Sequence, residues 1–238
     1  MSSEYIEVEH KWKADHVDWS AFIAYFTKKK KQIVDEQVVL GPDQYWRADF
    51  DTQDISKKIN ELLFGSANVD VKNVEKVSDL LQSLGVGQSV ARYRSNKNGF
   101  HELTVKRRIS KSSTTVRGET DLLLRRDTKN PTVGSFLSML GYKHEFTIVK
   151  RCHIFTIKNH IGIAIPVIYD IWLEGQEDDV KRFIEVEGDK SQSQEQNEKV
   201  IAYWKEILED RFELTNKHLS KLSLYEIFSK NKYWISKE

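Results

Sequence analysis

Charged residues recur at every second position in several segments of the chain. They are Glu7, Glu9, Lys11 and Lys13, then Arg92 and Arg94, then Glu102, Lys106 and Arg108. Arg117, Glu119 and Asp121 follow, and Glu185 and Glu187 close the series. A period of two puts each group on one face of a β-strand. Their chemistry is complementary. Carboxylates are hard oxygen ligands for Mg²⁺ or Mn²⁺, and Lys and Arg neutralise and orient phosphate oxygens. Together they suit metal-assisted displacement at a triphosphate, a reaction that needs positioning and charge stabilisation more than covalent chemistry.

The elements around these residues decide whether the charges meet. Opposite them lie apolar residues: Val8, Leu103, Val105, Ile184 and Val186. For one strand this pattern describes a half-buried sheet with its charged face in water. Over several strands, with helices that need an apolar surface to pack on, the charged faces are expected to converge. The fold class read from the sequence is therefore α+β: a closed antiparallel β-barrel with a charged lumen and helices packed outside. A charged lumen needs compensation, from interleaved acids and bases and from a polyanion with its metal.

Periodicity assigns the elements. Strands are expected over 4–13, 37–50 (bent at Gly41-Pro42), 90–95, 100–109, 114–125, 144–158, 161–174 and 182–187. Asn98-Gly99 is a hairpin turn signal. Trp19, Phe22, Ile23 and Phe26 fall at helical spacing ahead of the Lys28–Lys31 run, which suits a solvated helix C-terminus. Pro131 opens a short helix that Gly141 stops. A helical insertion is expected at about 51–89, and a helical C-terminal segment at about 193–230, in helices over 193–212 and 216–230. The whole chain, 1–238, reads as a single domain.

Totals exclude some functions. The 238 residues carry 37 Lys+Arg against 36 Asp+Glu, a net charge of +1, which argues against a nucleic-acid coat or a membrane-surface protein. One cysteine, Cys152, excludes an intramolecular disulfide and a multi-cysteine zinc site. With no signal-like or membrane-spanning stretch, the expected location is cytoplasmic.

Glu7-Val8-Glu9-His10-Lys11 resembles the ExExK strand of the CYTH superfamily, the triphosphate tunnel metalloenzymes that include class IV adenylyl cyclases and thiamine triphosphatase-like enzymes. The likeness continues in order through Asp43-Gln44-Tyr45-Trp46, Arg92-Tyr93-Arg94, Leu103 to Arg108, and Arg117-Gly118-Glu119-Thr120-Asp121. It then takes in Phe136 to Tyr142 with Arg151, Phe183-Ile184-Glu185-Val186-Glu187, and the tail Ser223 to Phe228. The insertion has no counterpart in the minimal family pattern. The resemblance implies a tunnel open at both ends. It implies Glu7, Glu9, Glu185 and Glu187 as ligands of the catalytic metal, Mg²⁺ or Mn²⁺, with Glu119 or Asp121 completing the set. It further implies that Lys11, Arg92, Arg94, Lys106, Arg108, Arg117 and Arg151 hold the triphosphate. Glu7, Glu9, Lys11 and Lys106 carry the catalytic role in this reading, while Lys13 lies toward the mouth. Of the adjacent Lys150 and Arg151, parity with His153 and against apolar Phe146, Ile148 and Cys152 favours Arg151 as the inward residue. His153 is the one histidine expected inside, and Cys152 is read as a packed thiol.

The reaction stays open at this level. Hydrolysis of inorganic, nucleoside or other organic triphosphate is preferred, because it needs a placed water and no base pocket. Cyclisation of ATP to cyclic AMP and pyrophosphate is the alternative. RNA 5′-triphosphatase activity or non-catalytic binding of a triphosphate or RNA end are further ones. The expected partner is a triphosphate-containing small molecule, with nucleic acid limited to an RNA 5′ end; a homodimer is a family precedent.

Overall fold

The computed structural model describes residues 5–29, 32–48, 90–95, 101–108, 115–123, 130–139, 141–220 and 222–229. For residues 5–7, 48, 106–108, 115–123, 130–132 and 139 it describes the backbone alone. The expected insertion at about 51–89 lies outside the described residues.

The strands are β1 (Tyr5–Lys13), β2 (Ile33–Ala48), β3 (Val90–Ser95), β4 (His101–Arg108), β5 (Thr115–Leu123), β6 (Tyr142–Lys158), β7 (Ile163–Leu173) and β8 (Lys181–Gly188). All pair antiparallel, in the order β1-β5-β4-β3-β2-β6-β7-β8. β1 pairs with β5 through Tyr5–Glu9 and with β8 through Glu9–Lys13, so the order returns on itself as a closed barrel. Glu9 is the residue at which β1 changes partner, opposite Thr115 on one side and Glu187 on the other.

The helices are α1 (Trp19–Thr27), α2 (Asn130–Met139), α3 (Gln194–Phe212) and α4 (Leu224–Phe228). Asp18 caps α1 by accepting from the Ala21 amide at 2.7 Å, and Ser193 caps α3. Both satisfy otherwise orphaned N-terminal amides. Phe22 and Phe26 of α1, with Val200, Ile201, Trp204 and Leu208 of α3, bury against the outward residues Val8, Trp12, Ile168, Ile184 and Val186. This is the larger apolar core, and it clamps β1, β7 and β8 from outside. α3 sits so close to β8 that a Cβ on Gly188 would fall 2.2 Å from Asn197 Cγ. α2 ends at Met139, and Gly141, with φ of 87°, turns the chain into β6.

β2 keeps its register through Gly41-Pro42, with shifts between Ile33 and Asp35 and between Tyr45 and Trp46. One expectation is corrected here. The helix expected over 216–230 is a 3₁₀ turn at Asn216–His218 and then α4. Between them Leu219 bridges to Trp12, and the Ser220 amide donates to the Lys11 carbonyl, so the chain is held to β1 and cannot stay helical. Ser223 and Glu226 then start α4 with a reciprocal capping box. Among the described residues no helix is long and apolar enough to cross a membrane.

Candidate active site

Register and alternation carry Glu9 and Lys11 of β1 and Glu185 and Glu187 of β8 onto the barrel's inner face. Glu9 stands opposite Glu187, and Lys11 opposite Glu185. One carboxylate oxygen from each of Glu9, Glu185 and Glu187 lies within 4.8 Å of the others, a spacing that fits one divalent cation with hard oxygen ligands. Lys11 Nζ lies 2.8 Å from Glu185 Oε1 and 3.6 Å from Glu9 Oε1, and its side chain is 2% exposed. Burial pushes the Glu185 carboxyl up, but the Lys11 and Lys150 ammonium groups overcome this and hold it at about 2. Burial and Glu185 together push the Tyr169 phenol well above its ordinary value.

A second polar group stands on β2, β3 and β4. Arg94 grips Asp43 with two bonds, Nε to Oδ1 at 2.7 Å and Nη2 to Oδ2 at 2.8 Å. Arg92 Nη2 donates to Glu102 Oε1 at 3.1 Å and to Thr104 Oγ1 at 3.0 Å. Burial pushes the Asp43 carboxyl up; Arg94, then Arg92 and Lys150, bring it down to about 2. Arg92 and Arg94 thus lie inside the barrel, each already engaged by a carboxylate.

Between the two polar groups is a cavity of about 240 Å³. Asp43, Arg94, Lys150 and Glu187 line it with charge, Gln37 and Ser95 with neutral polar groups, and Val39, Cys152, Ile154, Ile165 and Val167 with apolar ones. Burial raises the Cys152 thiol, which keeps it protonated and in the packed role expected of it.

Several site expectations change. Arg151 does not face inward: its side chain is 54% exposed, bonds Asp170 at 2.6 Å and stands over the Trp19 ring. Lys150 is the inward residue, with Nζ 3.9 Å from the centre of the Tyr169 ring. His153 lies on the outer face too, bonding Glu36 at 2.6 Å. The parity argument failed because it took every apolar strand face as outward. On β6 the apolar residues Ile148, Cys152 and Ile154 belong with the inward cluster of Tyr45, Val167, Tyr169, Ile171 and Phe183. Among the described residues, the end beside Tyr45 and Phe146 is covered rather than open. There α4 lays Leu224, Tyr225 and Phe228 on the same cluster, with the Tyr225 and Phe146 ring centres 5.6 Å apart.

The remaining candidates are placed by backbone alone. Glu7 lies opposite Arg117, Lys106 opposite Glu119, Thr104 opposite Asp121, and Arg108 opposite Arg117. Lys13 is exposed, in agreement with a position away from the centre. Two inner residues were missed as site members. Asp43 shares the period-two face of Tyr45 in the segment already singled out. Lys150 alternates with Ile148 and Cys152, a signal that was read with the wrong sign.

No family model matches the chain, and no curated protein matches it. Comparison of the structure with solved ones does find likenesses. The chain is similar to the PH1819 protein from Pyrococcus horikoshii OT3, with a TM-score of 0.55 and 15% identity over 93% of this chain and 97% of that one. It is also similar to HpAC1 from Hippeastrum, a putative adenylyl cyclase described as having a dominant triphosphatase activity. That match has a TM-score of 0.51 and 14% identity, over 93% of this chain and 94% of that one. A weaker likeness, with a TM-score of 0.39, is to a Mimivirus capping enzyme triphosphatase. The fold, helices around an antiparallel barrel, is shared with PH1819 and HpAC1. At these identities the likeness speaks for the fold, and the activity has to be argued from the site.

Proposed function

We propose that the chain is a metal-dependent triphosphatase of the CYTH, or triphosphate tunnel, type. The observation that carries this reading is the meeting of Glu9, Glu185 and Glu187 within 4.8 Å on the inner face, with Lys11 against two of them. These carboxylates would hold Mg²⁺ or Mn²⁺, with Glu7, Glu119 and Asp121 as further ligands. The metal's contribution would be to polarise a phosphoryl group and to make a bound water a better nucleophile. Lys11, Lys150, Arg92 and Arg94 would hold the phosphates in line with that centre, and Lys106, Arg108 and Arg117 are proposed to continue the cationic lining.

The paired state of these cations supports the reading. Arg94 with Asp43, and Arg92 with Glu102, are oriented before any ligand arrives, so little side-chain ordering is left to do on binding. The similarity to HpAC1, a putative adenylyl cyclase with a dominant triphosphatase activity, fits a fold on which either reaction can be built.

The test is incubation of the purified chain with Mn²⁺ or Mg²⁺ and either inorganic triphosphate or ATP, followed by separation of products. Metal-dependent release of orthophosphate is the expected result. Cyclic AMP with pyrophosphate would replace hydrolysis by cyclisation, and no turnover of these or of RNA 5′-triphosphate would leave a binding protein.

A further inference from the structure

We propose that Lys11 couples metal binding to triphosphate binding, because its ammonium occupies the ground between carboxylates that a divalent cation would share. The inference rests on the metal-dependent reading above and goes further, by assigning an order of events to the same site. Lys11 Nζ sits 2.8 Å from Glu185 Oε1 and 3.6 Å from Glu9 Oε1, on two of the three residues whose carboxylates converge within 4.8 Å. Its place is fixed by register, since it stands opposite Glu185 and two residues beyond Glu9 on one strand face. A divalent cation on those oxygens would meet a like charge at contact distance, in a buried site where water and salt screen little.

The ammonium therefore has to leave the carboxylates as the metal enters. A buried ammonium leaving one anion needs another, because an unpaired charge away from water is strongly disfavoured. Lysine has the reach for this, with a compact charge on a flexible four-carbon stem. A triphosphate in the barrel supplies the new partner. Each ligand thereby removes an obstacle to the other, and the coupling must be equal in both directions. Arg92 and Arg94 do not share this property, because their carboxylate partners Glu102 and Asp43 lie outside the convergent acidic group.

The test is the Mn²⁺ affinity of the full chain, read from the electron paramagnetic resonance signal of free Mn²⁺. It is measured for the metal alone and with the imido analogue of inorganic triphosphate, corrected for the analogue's own chelation. For the wild type, the analogue is expected to tighten Mn²⁺ binding by about tenfold. Lys11→Met is expected to bind Mn²⁺ alone about tenfold more tightly than the wild type and to lose most of the analogue's effect. Lys11→Arg, which keeps the charge, should stay weak for the metal alone. Absence of tightening in the wild type overturns the inference without recourse to any variant. Mn²⁺ binding that Glu185→Gln abolishes but Lys11→Met leaves unchanged overturns the coupling alone and leaves the metal site standing. No Mn²⁺ binding by the wild type or Lys11→Met, with or without the analogue, overturns both.

Discussion

The β1/β8 wall and the β2/β6 wall of this barrel are built with opposite polarity. On β1 and β8 the inner face carries Glu9, Lys11, Glu185 and Glu187, while Val8, Trp12, Ile184 and Val186 point outward under α1 and α3. On β6 and the middle of β2 much of the apolar surface points inward, as Val39, Ile148, Cys152 and Ile154. Outer residues away from the helices are polar or exposed: Arg151, His153 paired with Glu36, and Val34, Val38 and Leu40 at 63%, 65% and 43% exposure; where α1 reaches β6 the outer residue is the buried Phe155, stacked on Phe26. The difference follows from what covers each wall. Where helices pack outside, the outward face must be apolar and charge is left for the interior. Where the described residues place no helix, water takes the polar groups and the interior takes the apolar ones. One barrel therefore offers a charged wall that suits phosphates and metal, and an apolar wall across a cavity of about 240 Å³.

The largest test of this contrast is Glu185→Gln, which keeps the shape and removes one charge from the charged wall. It should lower metal-dependent kcat/KM on the order of a hundred- to a thousandfold, the usual scale for losing one charge-stabilising group at a reacting centre. Steady-state orthophosphate release reads it, and full activity would remove Glu185 from the metal site. Next, Ile184→Ala cuts the core beneath the same wall, where Ile184 is fully buried. Urea unfolding should show a loss of about 2–5 kcal/mol, the range for truncating a packed aliphatic side chain.

A third comparison separates neighbours on β6. Lys150→Met should raise KM for triphosphate by about tenfold through loss of one phosphate contact, whereas Arg151→Met should leave KM within about twofold, an effect smaller than about 0.5 kcal/mol. If Arg151→Met has the larger effect on KM, the assignment of faces is wrong. Acid stability gives a fourth. Glu185 and Asp43 both have folded values near 2, below those of the unfolded chain. Their contribution is therefore complete above the ordinary carboxylate range and is lost as pH falls through about 2. Thermal melting against pH should fall in that window, and Glu185→Gln should flatten the fall. The smallest effect belongs to the uncovered outer face: Val38→Thr should change stability by no more than about 0.5 kcal/mol, by the same urea measurement.

The charged wall was legible in the sequence because Glu9 and Lys11 on β1, and Glu185 and Glu187 on β8, alternate with the apolar Val8, Trp12, Ile184 and Val186. Glu9, Lys11, Glu185 and Glu187 fall together as their spacing implies. The apolar wall was not legible. A strand reading Ile148, Lys150, Cys152, Ile154 on one side and Val149, Arg151, His153, Phe155 on the other has no clean polar face, and periodicity alone cannot say which side is inward. β7 is apolar on both sides and gives still less direction. The broken C-terminal helix was hidden for another reason. Its interruption depends on Leu219 and Ser220 docking on β1, a contact between segments some two hundred residues apart in the chain.

By itself, then, the sequence determined which residues could ligate a metal and hold phosphates, and that they ride on alternating strands of an α+β protein. Alternation is a local property, fixed by the geometry of the backbone from one residue to the next. The tertiary structure alone decided that Lys150 and not Arg151 enters the barrel, that Asp43 anchors Arg94, and that α4 covers the end beside Tyr45 and Phe146. Those outcomes depend on which wall receives a helix and which receives water. That choice is settled by burial across the whole barrel, and no short stretch of the chain contains it.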